Sequence, residues 1–132
     1  AAAILITALT GCGPHALDSK DLSSSLHATA SLAAETDVFI RYVQSGQASP
    51  AFARTHADYL ARELDDERET LDTARVDARL RPALTLCRAQ QDQLGLELGR
   101  LELALQNPDQ LAQIAARVRN IGTAVSQARA SL

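Results

Sequence analysis

Apolar residues recur along the chain in steps of three and four, and these steps form four stripes of similar length. A stripe of this period is typical of one face of an α-helix that packs against other helices. No stretch alternates between apolar and polar residues as a half-buried strand would. The pattern predicts four helices with buried stripes comprising Leu22, Leu26, Thr29, Ala33, Thr36, Ile40 and Val43; Ala53, Ala57, Leu60, Leu64, Glu67, Leu71, Ala74 and Ala78; Leu80, Leu84, Cys87, Gln91, Leu94, Leu98, Leu101 and Leu105; and Leu111, Ile114, Val118, Ile121, Val125, Ala128 and Leu132.

Residues that begin or end helices separate the stripes. Asp18 or Ser19 is a suitable N-cap for the first helix, and Gly46 can adopt the left-handed conformation that ends it. Ser49-Pro50 predicts the N-cap and first residue of the second helix, because proline needs no hydrogen-bond acceptor there. The run 107–110, Asn-Pro-Asp-Gln, predicts a capping box at the start of the fourth.

The boundary between the second and third stripes is less sharply marked. Their register slips over residues 75–82, and Pro82 disfavours helical geometry at the residue before it. We expect a turn there, which makes the chain an all-α, antiparallel up-down-up-down four-helix bundle. The alternative is an elongated three-helix bundle whose middle helix is kinked at Pro82.

Composition supports an all-α fold and limits the partners. The chain has 132 residues, 46% of them apolar, and only two Phe and two Tyr with no Trp, so Ala and Leu must supply most of the core. This length predicts one bundle domain over residues 18–132. The net charge is −3 with mixed signs, which leaves no large basic surface and excludes nucleic acid as an expected partner.

The segment before the bundle has a pattern of its own. Residues 1–10, AAAILITALT, form an uncharged apolar run that is too short to cross a bilayer, which needs about 20 residues. Leu9-Thr10-Gly11-Cys12 follows and resembles the lipobox of bacterial lipoproteins. The resemblance implies that residues 1–11 are a truncated export signal and that residues 12–17 are an anchor cysteine and its linker. It also implies a diacylglyceryl group on Cys12, which would make the membrane a partner of the protein.

The same resemblance predicts a location in the cell envelope. Residue 13 is Gly rather than the Asp that retains lipoproteins at the enterobacterial inner membrane, so a Gram-negative host implies the periplasmic face of the outer membrane. The alternative is an apolar N-terminal arm packed on the bundle, with Cys12 an ordinary thiol. In that case Cys12 and Cys87 could form a disulfide in an oxidising compartment.

The topology places the N-terminus and the turn near residues 75–82 at one end of the bundle. Four basic residues lie there and are candidates for contacts with lipid headgroups: Arg75, Arg79, Arg81 and Arg88. Basic residues near an anionic lipid surface contribute about 1 kcal/mol each. A solvated arginine face is the alternative, with the aliphatic stems covering apolar surface.

The aromatic residues gather toward the opposite end. Phe39 and Tyr42 close the first helix, while Phe52, His56 and Tyr59 lie in the first turns of the second. Aromatic side chains dominate binding energy at protein interfaces, so these residues are a candidate partner surface. They could equally be large side chains that fill the end of the bundle core.

Polar members of the stripes predict one further feature. Thr29, Glu67 and Gln91 fall at similar heights and could form a buried hydrogen-bonded layer, with Cys87 one turn away. Such a layer would mainly fix the register of the helices. A pocket for a small ligand or metal ion is the alternative.

No known catalytic or cofactor-binding pattern is present. The sequence has no HExxH, CxxC, Glu-x-x-His or glycine-rich phosphate loop, and His15, His27 and His56 are spread along its length. We therefore expect no catalytic residues, cofactor or metal. The predicted function is that of a non-enzymatic, lipid-anchored envelope protein that presents helix surfaces to a protein partner. The alternative is a helical module that binds a small ligand or metal in its polar layer.

Overall fold

A computed structural model describes residues 16–132 of the chain and gives them four helices. They are α1 (Ser19–Gln44), α2 (Pro50–Asp72), α3 (Arg81–Ala104) and α4 (Pro108–Ala130). Short connections make consecutive helices antiparallel, and α4 packs against α1 to close the bundle. The predicted four-helix bundle is confirmed. Within residues 16–132, no helix has both the length and the hydrophobicity needed to cross a membrane.

The helix starts follow the capping residues in the sequence. Asp18 and Asp21 form a reciprocal capping box at α1, in which each carboxylate accepts the other residue's backbone N–H, at 2.8 and 3.2 Å. Ser49 accepts the N–H of Phe52 at 3.2 Å. Asn107 accepts the N–H of Gln110 at 3.1 Å, which is the forward bond of the predicted capping box.

Gly46 allows the turn between α1 and α2. Its φ angle is +75°, a conformation that L-residues with a Cβ rarely adopt. The preceding residue, Ser45, caps α1 by donating its backbone N–H to the carbonyl of Arg41. The chain therefore leaves α1 where the sequence predicted and reaches Ser49 within three residues of Gly46.

Residues 73–80 form a connection and not a kinked helix, so the three-helix alternative is wrong. Pro82 lies in the first turn of α3, where its missing N–H leaves no carbonyl unpaired. The second stripe was expected to remain helical to Ala78, but α2 ends at Asp72. Asp77 bends the connection by accepting the N–H of Leu80 with both its backbone carbonyl, at 3.2 Å, and its side chain, at 3.1 Å.

The core consists of two apolar clusters stacked along the bundle axis. The cluster near the N-terminal end includes Leu22, Leu26, Leu71 and Leu84, and the longer cluster above it runs from Leu32 to the opposite end. Almost every predicted stripe residue is buried. Ala78 is exposed, and five others are only partly buried: Val43, Glu67, Leu105, Ala128 and Leu132.

Candidate partner-binding surface

Three rings on one face of α2 form a continuous row. Phe52, His56 and Tyr59 are spaced by four and three residues, which places their side chains one above another on the helix. The ring centroids of Phe52 and His56 are 5.5 Å apart with an interplanar angle of 13°, and those of His56 and Tyr59 are also 5.5 Å apart. Each ring of the row therefore packs against the next one.

Two aromatic residues of α1 complete the cluster. Phe39 lies beneath the row, with its ring centroid 4.7 Å from that of His56 and 6.3 Å from that of Phe52. Tyr42 meets Phe52 edge to face at 5.8 Å, and its hydroxyl donates to the carbonyl of Gln47 at 3.3 Å. The structure brings together all five aromatic residues that the sequence singled out.

Their exposure differs, and this difference separates the two predicted roles. Phe39 is 4% exposed and belongs to the core. Tyr42, Phe52 and Tyr59 are 41%, 46% and 41% exposed, so they do not act only as core filling. We call the surface formed by Tyr42, Phe52, His56 and Tyr59 the aromatic face.

Negative charge lies along the edge of the aromatic face. Glu35 of α1 places Oε1 3.4 Å from Nε2 of His56. The pKa of Tyr59 is raised, first by the carboxylate of Glu63, then by partial burial of the phenol and by Glu35. Glu35 and Glu63 are both exposed. Arg62, the residue before Glu63, pairs with Asp58.

The predicted polar layer is smaller than the sequence suggested. Gln91 donates its side-chain N–H to Oγ1 of Thr29 at 3.1 Å, and this oxygen lies 3.9 Å from the sulfur of Cys87. Thr29 also donates to the carbonyl of Ser25 at 2.9 Å. The pair lies between the two apolar clusters, where both residues are buried.

Glu67 does not join this pair, contrary to its predicted place in a buried layer. It is only partly buried, and no hydrogen bond links it to Thr29 or Gln91. Burial raises the pKa of Glu67, and the nearby carboxylates of Glu63 and Asp66 raise it further. Its side chain stays at the edge of the bundle, because an unpaired carboxylate in the core would lose its hydration without compensation.

Cys87 has the properties of a core residue. Burial raises the pKa of its thiol, while the contact with Thr29 opposes this effect. A protonated, enclosed thiol is a poor nucleophile. Among residues 16–132, no group of three His, Cys, Asp or Glu side chains could hold a metal ion.

Within residues 16–132 the bundle buries two acids that sequence reasoning missed, Asp37 and Glu97, and Glu97 is the more deeply buried. Its side chain is 2% exposed, and its Oε1 accepts bonds from Arg100 at 2.6 Å and from Arg117 of α4 at 2.8 Å. Its Oε2 is buried and has no hydrogen-bond partner within residues 16–132. Asp37 of α1 is held in a similar way by Arg41 and Arg119. The available signal was an acid next to an apolar stripe with an arginine three or four residues later.

The arginines at the N-terminal end have different roles. Arg75, Arg79 and Arg81 are exposed. The sequence predicted that Arg88 contacts lipid headgroups together with these three arginines, but the guanidinium of Arg88 is directed into the protein. It donates to the carbonyls of Leu71 and Ala74, each at 3.2 Å, and so caps the end of α2.

Cys12 and the rest of the lipobox lie outside the described residues. The described chain begins beside the connection between α2 and α3, where Leu17 donates its backbone N–H to the carbonyl of Arg75 at 2.8 Å. Leu17 is itself 7% exposed and packs in the lower core cluster. The bundle therefore already binds Leu17, the last residue of the predicted linker 12–17.

Comparisons with models of protein families, with curated proteins and with solved structures find no significant match for this chain.

Proposed function

We propose that this protein is a lipid-anchored component of the bacterial envelope that acts without catalysis, by presenting the aromatic face to a protein partner. The observation that carries the proposal is the partial exposure of three large rings, Tyr42, Phe52 and Tyr59, on a helix pair whose own core is already filled by Phe39 and its apolar neighbours. Binding energy at protein interfaces is concentrated in a few residues, among which Tyr is enriched.

The sequence of the N-terminal segment supports the anchor. Leu9-Thr10-Gly11-Cys12 follows an apolar run in the arrangement of a lipobox. Two or three acyl chains on Cys12 would hold the protein stably at a membrane, because each buried methylene contributes about 0.8 kcal/mol and a single chain is marginal.

The position of the aromatic face fits this arrangement. Cys12 is four residues before Ala16, and therefore within about 14 Å of it even if the chain is fully extended. Phe39 lies about 30 Å further along α1 from Ser19, at 1.5 Å per residue. A protein anchored through Cys12 could thus hold the aromatic face well away from the lipid surface, where a second protein can reach it.

Two experiments test the two parts of the proposal. Cells that express the full-length gene product or its Cys12→Ala variant are labelled with radioactive palmitate. The parent protein should take up label and the variant should not, and equal labelling would end the lipoprotein assignment.

The second experiment places a photo-crosslinking amino acid in the chain in living cells. Placed at Phe52 or Tyr59, it should yield one discrete crosslinked partner. The matched control is Leu103, an 88% exposed apolar residue of α3 outside the aromatic face. No crosslink from either aromatic position, or the same crosslinks from position 103, would contradict a role for the aromatic face.

A further inference from the structure

The charge around the aromatic face specifies the chemistry of its partner. Glu35 of α1 lies with its Oε1 3.4 Å from Nε2 of His56, and Glu63 follows Tyr59 by one turn of α2, so both exposed carboxylates border the ring row. Arg62, the residue before Glu63, already pairs with Asp58. The surface therefore combines exposed apolar rings with two carboxylates that pair with no arginine or lysine within residues 16–132.

We infer that the aromatic face binds a basic amphipathic segment of a protein, with apolar side chains on Phe52 and Tyr59 and arginine or lysine side chains beside Glu35 and Glu63. This inference rests on the proposed function and narrows the class of partner.

Ring chemistry favours the same partner. The faces of Phe and Tyr rings carry negative electrostatic potential, so a guanidinium or ammonium group is attracted to them as well as to the carboxylates. An arginine can place its planar guanidinium on a ring while its N–H groups reach a carboxylate. The aromatic face provides both elements, with Glu35 within 3.4 Å of the His56 ring.

A second copy of this chain does not fit the face equally well. A symmetric dimer would place the same surface on both partners, so Glu35 and Glu63 would face their own counterparts or each other. Like charges brought together at an interface oppose association. The chain as a whole carries a net charge of −3, which adds to this repulsion.

The test uses two synthetic amphipathic peptides of about 15 residues, a length at which isolated helices begin to form. Both have the same apolar stripe with one Trp, and the polar positions are Lys and Arg in one peptide and Glu in the other. Because the protein contains no Trp, the fluorescence of the peptide reports binding without background. Amide chemical shifts of the protein locate the contact.

Matched variants separate charge from apolar contact. Glu35→Gln with Glu63→Gln removes the two carboxylates, and Glu69→Gln with Glu102→Gln removes two exposed acids elsewhere. We expect the first pair to weaken binding of the basic peptide about fivefold at low salt, since exposed ion pairs contribute about 0.2–1 kcal/mol each. The second pair should change it less than twofold.

Salt provides an independent readout. Raising the ionic strength from about 0.01 M to about 1 M shortens the Debye length from about 30 Å to about 3 Å, which should weaken binding of the basic peptide. The Glu35→Gln, Glu63→Gln protein should lose most of this salt dependence.

The outcomes distinguish the inference from the proposed function. Equal binding of the two peptides, abolished by Phe52→Ala with Tyr59→Ala, would overturn the basic partner and leave the aromatic face as a binding surface. Binding of neither peptide, or binding that neither set of variants changes, would also overturn the inference. Failure of the proposed function appears separately, as loss of the position-specific crosslink in cells.

Discussion

Glu97 offers the sharpest test of how this bundle is stabilised. Its carboxylate is 2% exposed, two arginines bind its Oε1, and its buried Oε2 has no partner in the part of the chain that the structure describes. The arginines are much more exposed, at 56% for Arg100 and 43% for Arg117. The buried carboxylate depends on the arginines for hydrogen bonds, whereas the exposed arginines can be hydrated without it. The substitutions Glu97→Met and Arg117→Met should therefore change the free energy of unfolding differently.

Removing Arg117 leaves the buried carboxylate with one fewer donor. A hydrogen bond to a charged group contributes about 1.5–3 kcal/mol, and the exposure of Arg117 places its loss toward the lower part of that range, about 2 kcal/mol. Removing Glu97 instead eliminates a desolvated charge and an unsatisfied oxygen. In the parent protein, a buried oxygen without a hydrogen bond destabilises the fold by about 1–3 kcal/mol. The two arginines can then be hydrated where they lie. Glu97→Met should be as stable as the parent or more stable, by up to about 2 kcal/mol.

Urea unfolding followed by circular dichroism measures these effects. With a slope of about 1.5 kcal/mol per molar urea, a loss of about 2 kcal/mol lowers the midpoint for Arg117→Met by about 1.3 M. In the Glu97→Met background the same arginine substitution should cost less than about 0.5 kcal/mol, because its partner is gone. If Glu97→Met is less stable than Arg117→Met, the ion cluster stabilises the fold and the reasoning from desolvation is refuted.

Three other predictions follow from local structure, each measured by the same unfolding assay. Gly99 lies inside α3 with open space around it, so Gly99→Ala should stabilise the protein by about 0.5–1 kcal/mol, whereas Gly46→Ala should destabilise it by about 1 kcal/mol because of the positive φ; a gain for both would contradict the turn geometry. Arg88→Met should cost about 1–2 kcal/mol by uncapping α2, while Arg79→Met should stay within about 0.5 kcal/mol, and equal effects would remove the special role of Arg88. The raised pKa of Glu67 means that the folded state holds this proton to higher pH than the unfolded chain, so its ionisation lowers stability at neutral pH. Glu67→Gln should therefore stabilise the protein at pH 7, by about 0.2–0.5 kcal/mol for relief of one like-charge helical pair, and the gain should vanish near pH 3, where both states are protonated; a gain that persists at pH 3 would show that charge is not its cause.

The helices and most of their ends were predictable because their causes are local. Asp18, Ser49 and Asn107 each accept a backbone N–H three residues later, and this bond depends only on the residues of one turn. Gly46 ends α1 for an equally local reason. The apolar stripes then fixed which face of each helix is buried, since a helix repeats its faces every three or four residues whatever it packs against.

For the candidate surface, the sequence predicted which residues lie together but not which of them are buried or exposed. The sequence placed Phe39, Tyr42, Phe52, His56 and Tyr59 at one end of the bundle. Whether each ring lies inside or outside depends on how α1 and α2 cross, and this buries Phe39 while leaving Phe52 exposed. The pairing of Glu35 with His56 also needs the two helices side by side, because these residues are 21 positions apart.

Sequence alone thus determined most of the helix ends and the apolar faces, which follow from interactions within a few residues. It did not place the end of α2 at Asp72, and it left a three-helix alternative open. The tertiary structure decided which polar groups those faces could accept. Gln91 is buried because Thr29 of another helix meets it, Glu97 because Arg117 reaches across from α4, and Glu67 stays at the edge because no such partner meets it. The free energy of a buried polar group depends on its partners, and partners from distant parts of the chain are chosen only when the helices pack.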